Sequence, residues 1–108
     1  MNILIKESQP LTAFGINQIL ENEFEQINVS LAQDIDDVMS LFNGHQYDMF
    51  IIDTDAHLQD TASLIKIIKE KNAEAKILIY GNSNSVKYEL NYIHMGACGF
   101  ISKNSKVK

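Results

Sequence analysis

The sequence predicts an α/β fold in which helices cover both faces of a doubly wound, five-stranded parallel sheet. The main observation is that short, nearly continuous apolar runs alternate with segments whose apolar residues recur at helical spacing. In addition, polar residues able to carry chemistry follow directly after several of the apolar runs. Because the clefts of such folds lie beyond the carboxyl ends of the strands, these residues are candidates for a functional site.

The first strand and helix are predicted from a short apolar run followed by proline. Strand one covers Asn2 to Lys6, and Pro10 opens the first helix, where its fixed φ and missing N–H are tolerated. The apolar residues expected to form the buried side of this helix are Leu11, Phe14, Ile16, Ile19 and Leu20.

The second strand and helix follow the same pattern. Strand two is predicted at Ile27–Ala32, and Asp34 is expected to cap the N-terminus of the next helix. The apolar positions of that helix are Ile35, Val38, Met39 and Phe42. Asn43-Gly44 is a helix-ending pair, so the second helix is predicted to stop there.

The second half of the chain contains three more predicted strands and two helices. The strands are Met49–Ile52, Ile77–Tyr80 and Gly99–Ser102. Between the first two, a helix is expected to start within 59–61. The loop 81–84 precedes a fourth helix, whose apolar stripe is predicted to be Val86, Leu90 and Ile93 and which ends at Gly96.

Composition indicates one globular domain spanning 1–108, because 45% of the 108 residues are hydrophobic. No stretch is apolar enough to span a membrane, and the N-terminus lacks the layout of a signal peptide. The single cysteine, Cys98, fits a reducing cytoplasm. The net charge of −5 and the absence of arginine argue against direct nucleic-acid binding.

Asp53 is the main candidate for a chemical role. It follows a run predicted to be a buried strand, where an ionised carboxylate is costly unless something binds it. Glu7, Gly81 and Lys103 come at or just past the ends of the first, fourth and fifth strands, so all four positions meet at one edge of the sheet. This arrangement predicts an aspartate that accepts phosphate.

Three segments of the chain resemble the receiver domain of two-component response regulators: Glu7-Ser8-Gln9-Pro10, residues 47–53 and residues 96–103. The resemblance runs over essentially the whole chain and implies a flavodoxin-like receiver fold. The last segment, together with Pro10 and Gly15, is similar to the LuxR/NarL-type subfamily, in which a DNA-binding helix-turn-helix follows the receiver. The resemblance therefore implies the N-terminal part of a longer regulator, with a fifth helix that is missing or truncated here.

The resemblance also implies a role for each site residue. Asp53 is implied to be the phosphoacceptor, Lys103 the phosphate partner and Phe100 the aromatic residue that responds to phosphorylation. Mg²⁺ is implied between the carboxylates and the incoming phosphoryl oxygens, with Glu7, Asp53 and the backbone carbonyl of Asp55 as its ligands.

Two positions depart from the family pattern. Ser8 replaces the second acidic residue after strand one, so the expected Mg²⁺ site is weak. Gly81 replaces the serine or threonine that hydrogen-bonds a phosphoryl oxygen, and glycine has no hydroxyl. Phosphorylation is therefore not expected to be coupled to loop movement in the usual way.

The resemblance implies a cytoplasmic signalling domain that is not an enzyme and does not contact membranes. Its expected partners are a sensor histidine kinase or a small phosphodonor, a second copy of itself through an edge helix and strand, and DNA only through a helix-turn-helix domain outside this sequence. The alternative is a pseudo-receiver that acts by protein contacts without phosphorylation. A third, more distant alternative is a flavodoxin-like small-molecule binder or enzyme.

Overall fold

The computed structural model describes residues 1–43, 45–54, 58–81 and 86–102. These residues form five strands and four helices that alternate along the chain. The strands are β1 (Asn2–Lys6), β2 (Asn28–Ala32), β3 (Met49–Asp53), β4 (Lys76–Gly81) and β5 (Gly99–Ser102). The helices are α1 (Pro10–Glu23), α2 (Ile35–Phe42), α3 (Leu58–Lys71) and α4 (Val86–Met95).

The strands form one parallel sheet in the order β2-β1-β3-β4-β5. The predicted doubly wound, five-stranded fold is therefore confirmed. In this order the chain changes direction across the sheet between β1 and β3, and the crevice at such a switch point is where ligands of these folds bind. The carboxyl ends of β1 and β3 carry Glu7 and Asp53, respectively.

Successive strand residues pack on opposite faces of the sheet, because strand side chains alternate. The larger cluster contains Leu4, Phe50, Ile52, Ile77 and Ile79 with residues of α2, α3 and α4. The smaller cluster contains Ile3, Ile5 and Ile51, with Ile16 and Leu20 of α1 against it. The strands are apolar on both faces because helices cover both, as the near-continuous apolar runs predict.

The predicted element boundaries agree with the structure to within about two residues, the precision expected of helix and strand ends. β2 begins one residue later than predicted, at Asn28, and β3 extends to include Asp53 itself. β4 is longer at both ends, from Lys76 to Gly81, and α3 starts at Leu58.

The predicted N-cap of α2 is confirmed. The Asp34 carboxylate accepts a hydrogen bond of 2.9 Å from the Asp37 N–H, and the Asp37 carboxylate accepts one of 2.9 Å from the Gln33 N–H. These reciprocal bonds satisfy two backbone donors and fix where the helix begins. The helix ends at Phe42, with Asn43 as its C-cap, and Gly44 lies outside the described residues.

The predicted buried side of α1 is wrong in part. Ile16 and Leu20 pack on the smaller cluster. Leu11, Phe14 and Ile19, however, are 83%, 56% and 64% exposed. The sheet surface beneath α1 accommodates only the stripe through Ala13, Ile16 and Leu20, so the apolar residues that flank it face outward.

The predicted stripe of α4 is also wrong at one position. Ile93 is exposed, whereas Tyr92 is buried and its ring stacks on Phe100 of β5, with centroids 6.1 Å apart. Packing against β5 therefore turns Tyr92 toward the sheet. The side chains of Val86 and Leu90 lie outside the described part of the chain.

Two further expectations concern the ends of the fold and the membrane. The fifth helix would follow Ser102, and residues 103–108 lie outside the described ranges, so its absence or truncation stays a prediction. Among the described helices, none is both long and apolar enough to cross a bilayer.

Candidate functional site

Asp53 is the last residue of β3 and is buried, with 1% of its surface exposed. Its Oδ2 atom accepts a hydrogen bond of 3.3 Å from the Ser8 N–H, which lies just past the end of β1. The carboxylate therefore lies at the switch point between β1 and β3. This is the position that the sequence predicts for it.

Lys6, the last residue of β1, brings a positive charge to Asp53 from within the sheet. Its Nζ atom lies 3.8 Å from Asp53 Oδ2 and donates a hydrogen bond of 3.5 Å to the Asp53 backbone carbonyl. The Lys6 side chain is 9% exposed. A buried ammonium is stable only when it is paired and hydrogen-bonded, so the contact with Asp53 is the physical reason that β1 can end in lysine.

Glu7 is buried to the same degree as Asp53 and is held by two donors. Its Oε1 atom accepts a hydrogen bond of 3.2 Å from the Gln9 N–H, and its Oε2 atom accepts one from the Tyr80 hydroxyl. Tyr80 is the residue of β4 that pairs with Asp53 in the sheet. The hydroxyl of Tyr80 therefore connects β4 to the end of β1, directly beside β3.

Gly81 ends β4 and lies against Thr54, the residue after Asp53. The Thr54 N–H donates a hydrogen bond of 3.0 Å to the Tyr80 carbonyl, which continues the β3–β4 pairing past Asp53. A β-carbon on Gly81 would lie 2.0 Å from Thr54 Oγ1, far inside van der Waals contact. The hydroxyl of Thr54 thus fills the space that a side chain at position 81 would need.

Phe100 lies on β5 and is half-buried. Its ring stacks on Tyr92 of α4 with an interplanar angle of 6°. This contact joins β5 to α4, the helix that follows the loop after Gly81. The role of Phe100 as the residue that responds to phosphorylation stays a prediction.

The predicted site residues divide into two groups. The structure brings Glu7, Ser8 and Asp53 together at the ends of β1 and β3 and places Gly81 at the end of β4. Lys103 and Asp55 lie outside the described residues, so the phosphate partner and the carbonyl ligand stay predictions.

The side chains present allow a test of whether a divalent cation fits. Within the described ranges, no group of three or more His, Cys, Asp or Glu residues is arranged to hold a metal. In the described part of the site, Glu7 and Asp53 are the two acidic residues available as ligands, and two carboxylates with water suffice for Mg²⁺. Both carboxylates already accept hydrogen bonds from the protein, and Lys6 contributes an opposing charge. The donor set therefore fits a weakly held cation.

Three contributors to the site were not identified from the sequence: Lys6, Tyr80 and Thr54. For Lys6 there was a usable signal, because a lysine at the end of an apolar strand, next to Glu7, is unusual and implies a buried partner. For Tyr80 and Thr54 there was none. Their roles depend on the lateral pairing of β3 with β4, which the sequence does not specify residue by residue.

Comparison with known families gives a match over almost the whole chain. A family model described as the response regulator receiver domain matches residues 3–108. A search of curated proteins found no match. Three similar solved structures are each below 25% identical to this chain and therefore bear on the fold alone.

The signal receiver domain of a DNA-binding response regulator (merR) from Colwellia psychrerythraea 34H superposes with a TM-score of 0.87 at 21% identity, covering 98% of this chain and 88% of that one. RcsB from Salmonella enterica serovar Typhimurium, bound to promoter rprA in the presence of the phosphomimetic BeF3⁻, gives 0.83 at 23% identity. There the coverage is 98% of this chain and 61% of RcsB.

A response regulator protein from Burkholderia pseudomallei, with a phosphorylated aspartic acid, a calcium ion and citrate, also matches. Its TM-score is 0.83 at 20% identity, with coverage of 98% of this chain and 61% of that one. The present chain therefore spans less than two thirds of two of these relatives.

Proposed function

We propose that this chain, because it belongs to the response regulator receiver domain family, accepts a phosphoryl group on Asp53 and passes that signal on within a two-component system. The observation that carries the proposal is the position of Asp53. It is a buried carboxylate at the switch point of the sheet, with the Ser8 N–H and the Lys6 ammonium directed at Oδ2. Such an environment suits an oxygen nucleophile that ends as an acyl phosphate.

The proposed step transfers a phosphoryl group from a sensor histidine kinase or a small phosphodonor. An Asp53 carboxylate oxygen attacks phosphorus, the bond from phosphorus to the donor breaks, and the donor leaves with that bond's electron pair. The phosphoryl oxygens then need positive charge and hydrogen-bond donors. Lys6 supplies charge from the described part of the site, and Lys103 is proposed as the phosphate partner.

We assign Mg²⁺ a weak and supporting role at Glu7, Asp53 and the backbone carbonyl of Asp55. When bound, the ion supplies charge neutralisation between the carboxylates and the phosphoryl oxygens. The carboxylates of Glu7 and Asp53 support this, and Ser8 offers only a neutral oxygen in place of a third acidic group. Lys6 offsets part of the negative charge that would attract the ion.

The proposed protein context is the N-terminal part of a longer cytoplasmic regulator that is not an enzyme, controls transcription through a following DNA-binding domain, and dimerises through an edge helix and strand. RcsB supports the comparison, because its chain is longer than the region matched here and was solved on a promoter. The exposed free thiol of Cys98 is compatible with a reducing compartment.

The experiment is binding of beryllofluoride, a phosphoryl mimic, at millimolar Mg²⁺, followed by NMR. Saturable binding is expected in the wild type and should be lost in Asp53→Asn. Asp48→Asn is the matched control, because Asp48 precedes β3 at the opposite edge of the sheet and accepts a bond from the Asn2 N–H. Lack of binding by the wild type, or equal binding by Asp53→Asn, would overturn the proposal.

The pseudo-receiver remains the competing proposal, and it rests on Ser8 and Gly81, which replace the second acidic residue and the hydroxyl residue of the family pattern. This proposal predicts that Asp53→Asn leaves self-association and partner binding unchanged. Sedimentation of wild type and Asp53→Asn, with and without beryllofluoride, separates the two, because only a phosphorylation-dependent receiver changes its association on binding the mimic.

A further inference from the structure

Gly81 and Thr54 share one space at the carboxyl edge of the sheet. A β-carbon built on Gly81 would lie 2.0 Å from Thr54 Oγ1 and 3.3 Å from Thr54 Cβ. The backbone of Gly81 does not itself demand glycine, because Gly96 is the glycine with positive φ in the described ranges. The Thr54 side chain therefore occupies the space that a side chain at position 81 would need.

Thr54 is held in this place by the backbone. Its N–H donates to the Tyr80 carbonyl at 3.0 Å, so the residue stays in register with β4 after β3 has ended. Its side chain is half-buried and occupies the position where a residue-81 side chain would begin. Thr54 directly follows Asp53 in the chain, so its backbone lies beside that of the acceptor.

We propose that the Thr54 hydroxyl takes over the role of a hydroxyl side chain at position 81 and donates a hydrogen bond to a phosphoryl group on Asp53. The inference rests on the proposed function, because it presupposes that Asp53 is the acceptor. A threonine hydroxyl has one donor, and a bond from it to an anionic phosphoryl oxygen is charge-assisted. The hydroxyl would then come from the residue after β3 instead of the end of β4, and the absence of a side chain on Gly81 leaves room for it.

The first test compares Thr54→Val with Thr54→Ser in binding beryllofluoride. Valine keeps the shape of threonine without its hydroxyl, and serine keeps the hydroxyl. Hydrogen bonds to charged groups are worth about 1.5–3 kcal/mol, so Thr54→Val should bind at least about tenfold more weakly. Thr54→Ser should bind within about threefold of the wild type.

The outcomes separate this inference from the proposed function. Wild-type binding that depends on Asp53 but is unchanged in Thr54→Val overturns the role of Thr54 alone. Failure of the wild type to bind overturns the proposed function and the role of Thr54 with it. The amide NMR spectrum checks that both variants are folded. Folding is expected because each variant differs from the wild type by only a few atoms.

The second test exchanges the two side chains. Gly81→Ser should lower the urea unfolding midpoint, because its β-carbon overlaps Thr54 Oγ1, and Thr54→Ala should remove that penalty in the double variant. The double variant, which returns a hydroxyl to position 81, should also bind beryllofluoride at least about tenfold more tightly than Thr54→Ala. Equal destabilisation by Gly81→Ser in both backgrounds, or no recovery of binding, would overturn the exchange.

Discussion

The Nζ atom of Lys6 lies 3.8 Å from Oδ2 of Asp53, and both side chains are buried. The acceptor carboxylate therefore has a permanent cation beside it, contributed by the neighbouring strand of the sheet. Together with Glu7, the cluster contains one basic and two acidic side chains, all buried. The Lys6 ammonium attracts an incoming phosphoryl group and repels a divalent metal ion. Lys6 therefore favours phosphoryl binding over metal binding at this site.

Replacing Lys6 with methionine should tighten Mg²⁺ binding. Methionine keeps much of the length and apolar surface of the lysine side chain and removes the ammonium. At an effective dielectric constant of about 20, a unit charge about 5 Å from a divalent ion is worth several kcal/mol before screening, so an increase of at least about tenfold in affinity is expected. Mg²⁺ titration followed by amide NMR shifts of Ser8 and Asp53 measures it.

The matched control for Lys6 is Lys76→Met. Lys76 starts β4 at the opposite edge of the sheet and is exposed, so its replacement should leave Mg²⁺ affinity within about twofold. Equal Mg²⁺ affinity in wild type and Lys6→Met would show that the ammonium does not influence the site. Equal tightening by both variants would show that net charge, rather than the pair with Asp53, is responsible.

Ser8→Asp should also tighten Mg²⁺ binding, by adding a carboxylate where the chain has a hydroxyl. Ser8 is exposed, and its N–H already donates to Asp53 Oδ2, so the new side chain would start beside the acceptor. A third oxygen anion in reach of a hard cation is expected to raise affinity by about tenfold or more. Calorimetric titration of Mg²⁺ checks the value.

Ser40→Asp on α2 is the control for this change. Ser40 is exposed, and its substitution adds the same negative charge to another part of the fold. It should alter Mg²⁺ affinity by less than about twofold. If Ser8→Asp has no larger effect than Ser40→Asp, the end of β1 does not contribute to cation binding. The proposed ligand role of Glu7 would then lose its support.

Tyr80→Phe should destabilise the fold through Glu7. The Tyr80 hydroxyl donates to Glu7 Oε2, and Glu7 is 1% exposed, so its carboxylate would lose a donor where water has little access. Leaving a buried charged acceptor short of a partner costs about 2 kcal/mol. Urea denaturation gives the change in the free energy of unfolding.

The matched control is Tyr47→Phe. The Tyr47 hydroxyl donates to Ser30 Oγ at 3.1 Å, so the same atom is removed from a neutral pair. The expected loss is about 1 kcal/mol or less. A larger loss at position 47 than at position 80 would contradict the view that Glu7 depends on the Tyr80 hydroxyl.

The fold was predictable because its signals are local. The alternation of apolar strands with helical spacing needs no knowledge of partners, and the Asp34 cap depends on residues four or fewer apart. The errors on α1 and α4 have a different origin. Leu11 and Ile93 are apolar at helical spacing, but which of several apolar stripes faces the sheet is decided by packing against particular strands.

The site was predictable only where chain order determines position. Glu7 directly follows β1 and Asp53 ends the adjacent parallel strand β3, so their meeting follows from the topology alone. The partners of these two carboxylates could not be predicted from the topology. Lys6 reaches Asp53 across the β1–β3 pairing, and Thr54 meets Gly81 across the β3–β4 pairing, so both depend on lateral register between strands.

The two glycines Gly96 and Gly15 should respond to alanine in opposite directions. Gly96 follows α4 with φ of +120°, and a β-carbon there would lie 3.0 Å from Lys69 Cε. Alanine is strained in that backbone conformation, so Gly96→Ala should lower the free energy of unfolding by about 1–2 kcal/mol. Gly15 lies inside α1 with nothing within 4 Å of a β-carbon, and Gly15→Ala should raise it by about 1 kcal/mol. Urea denaturation of both variants tests the pair, and a destabilised Gly15→Ala would show that α1 is packed more tightly at this position than the structure indicates.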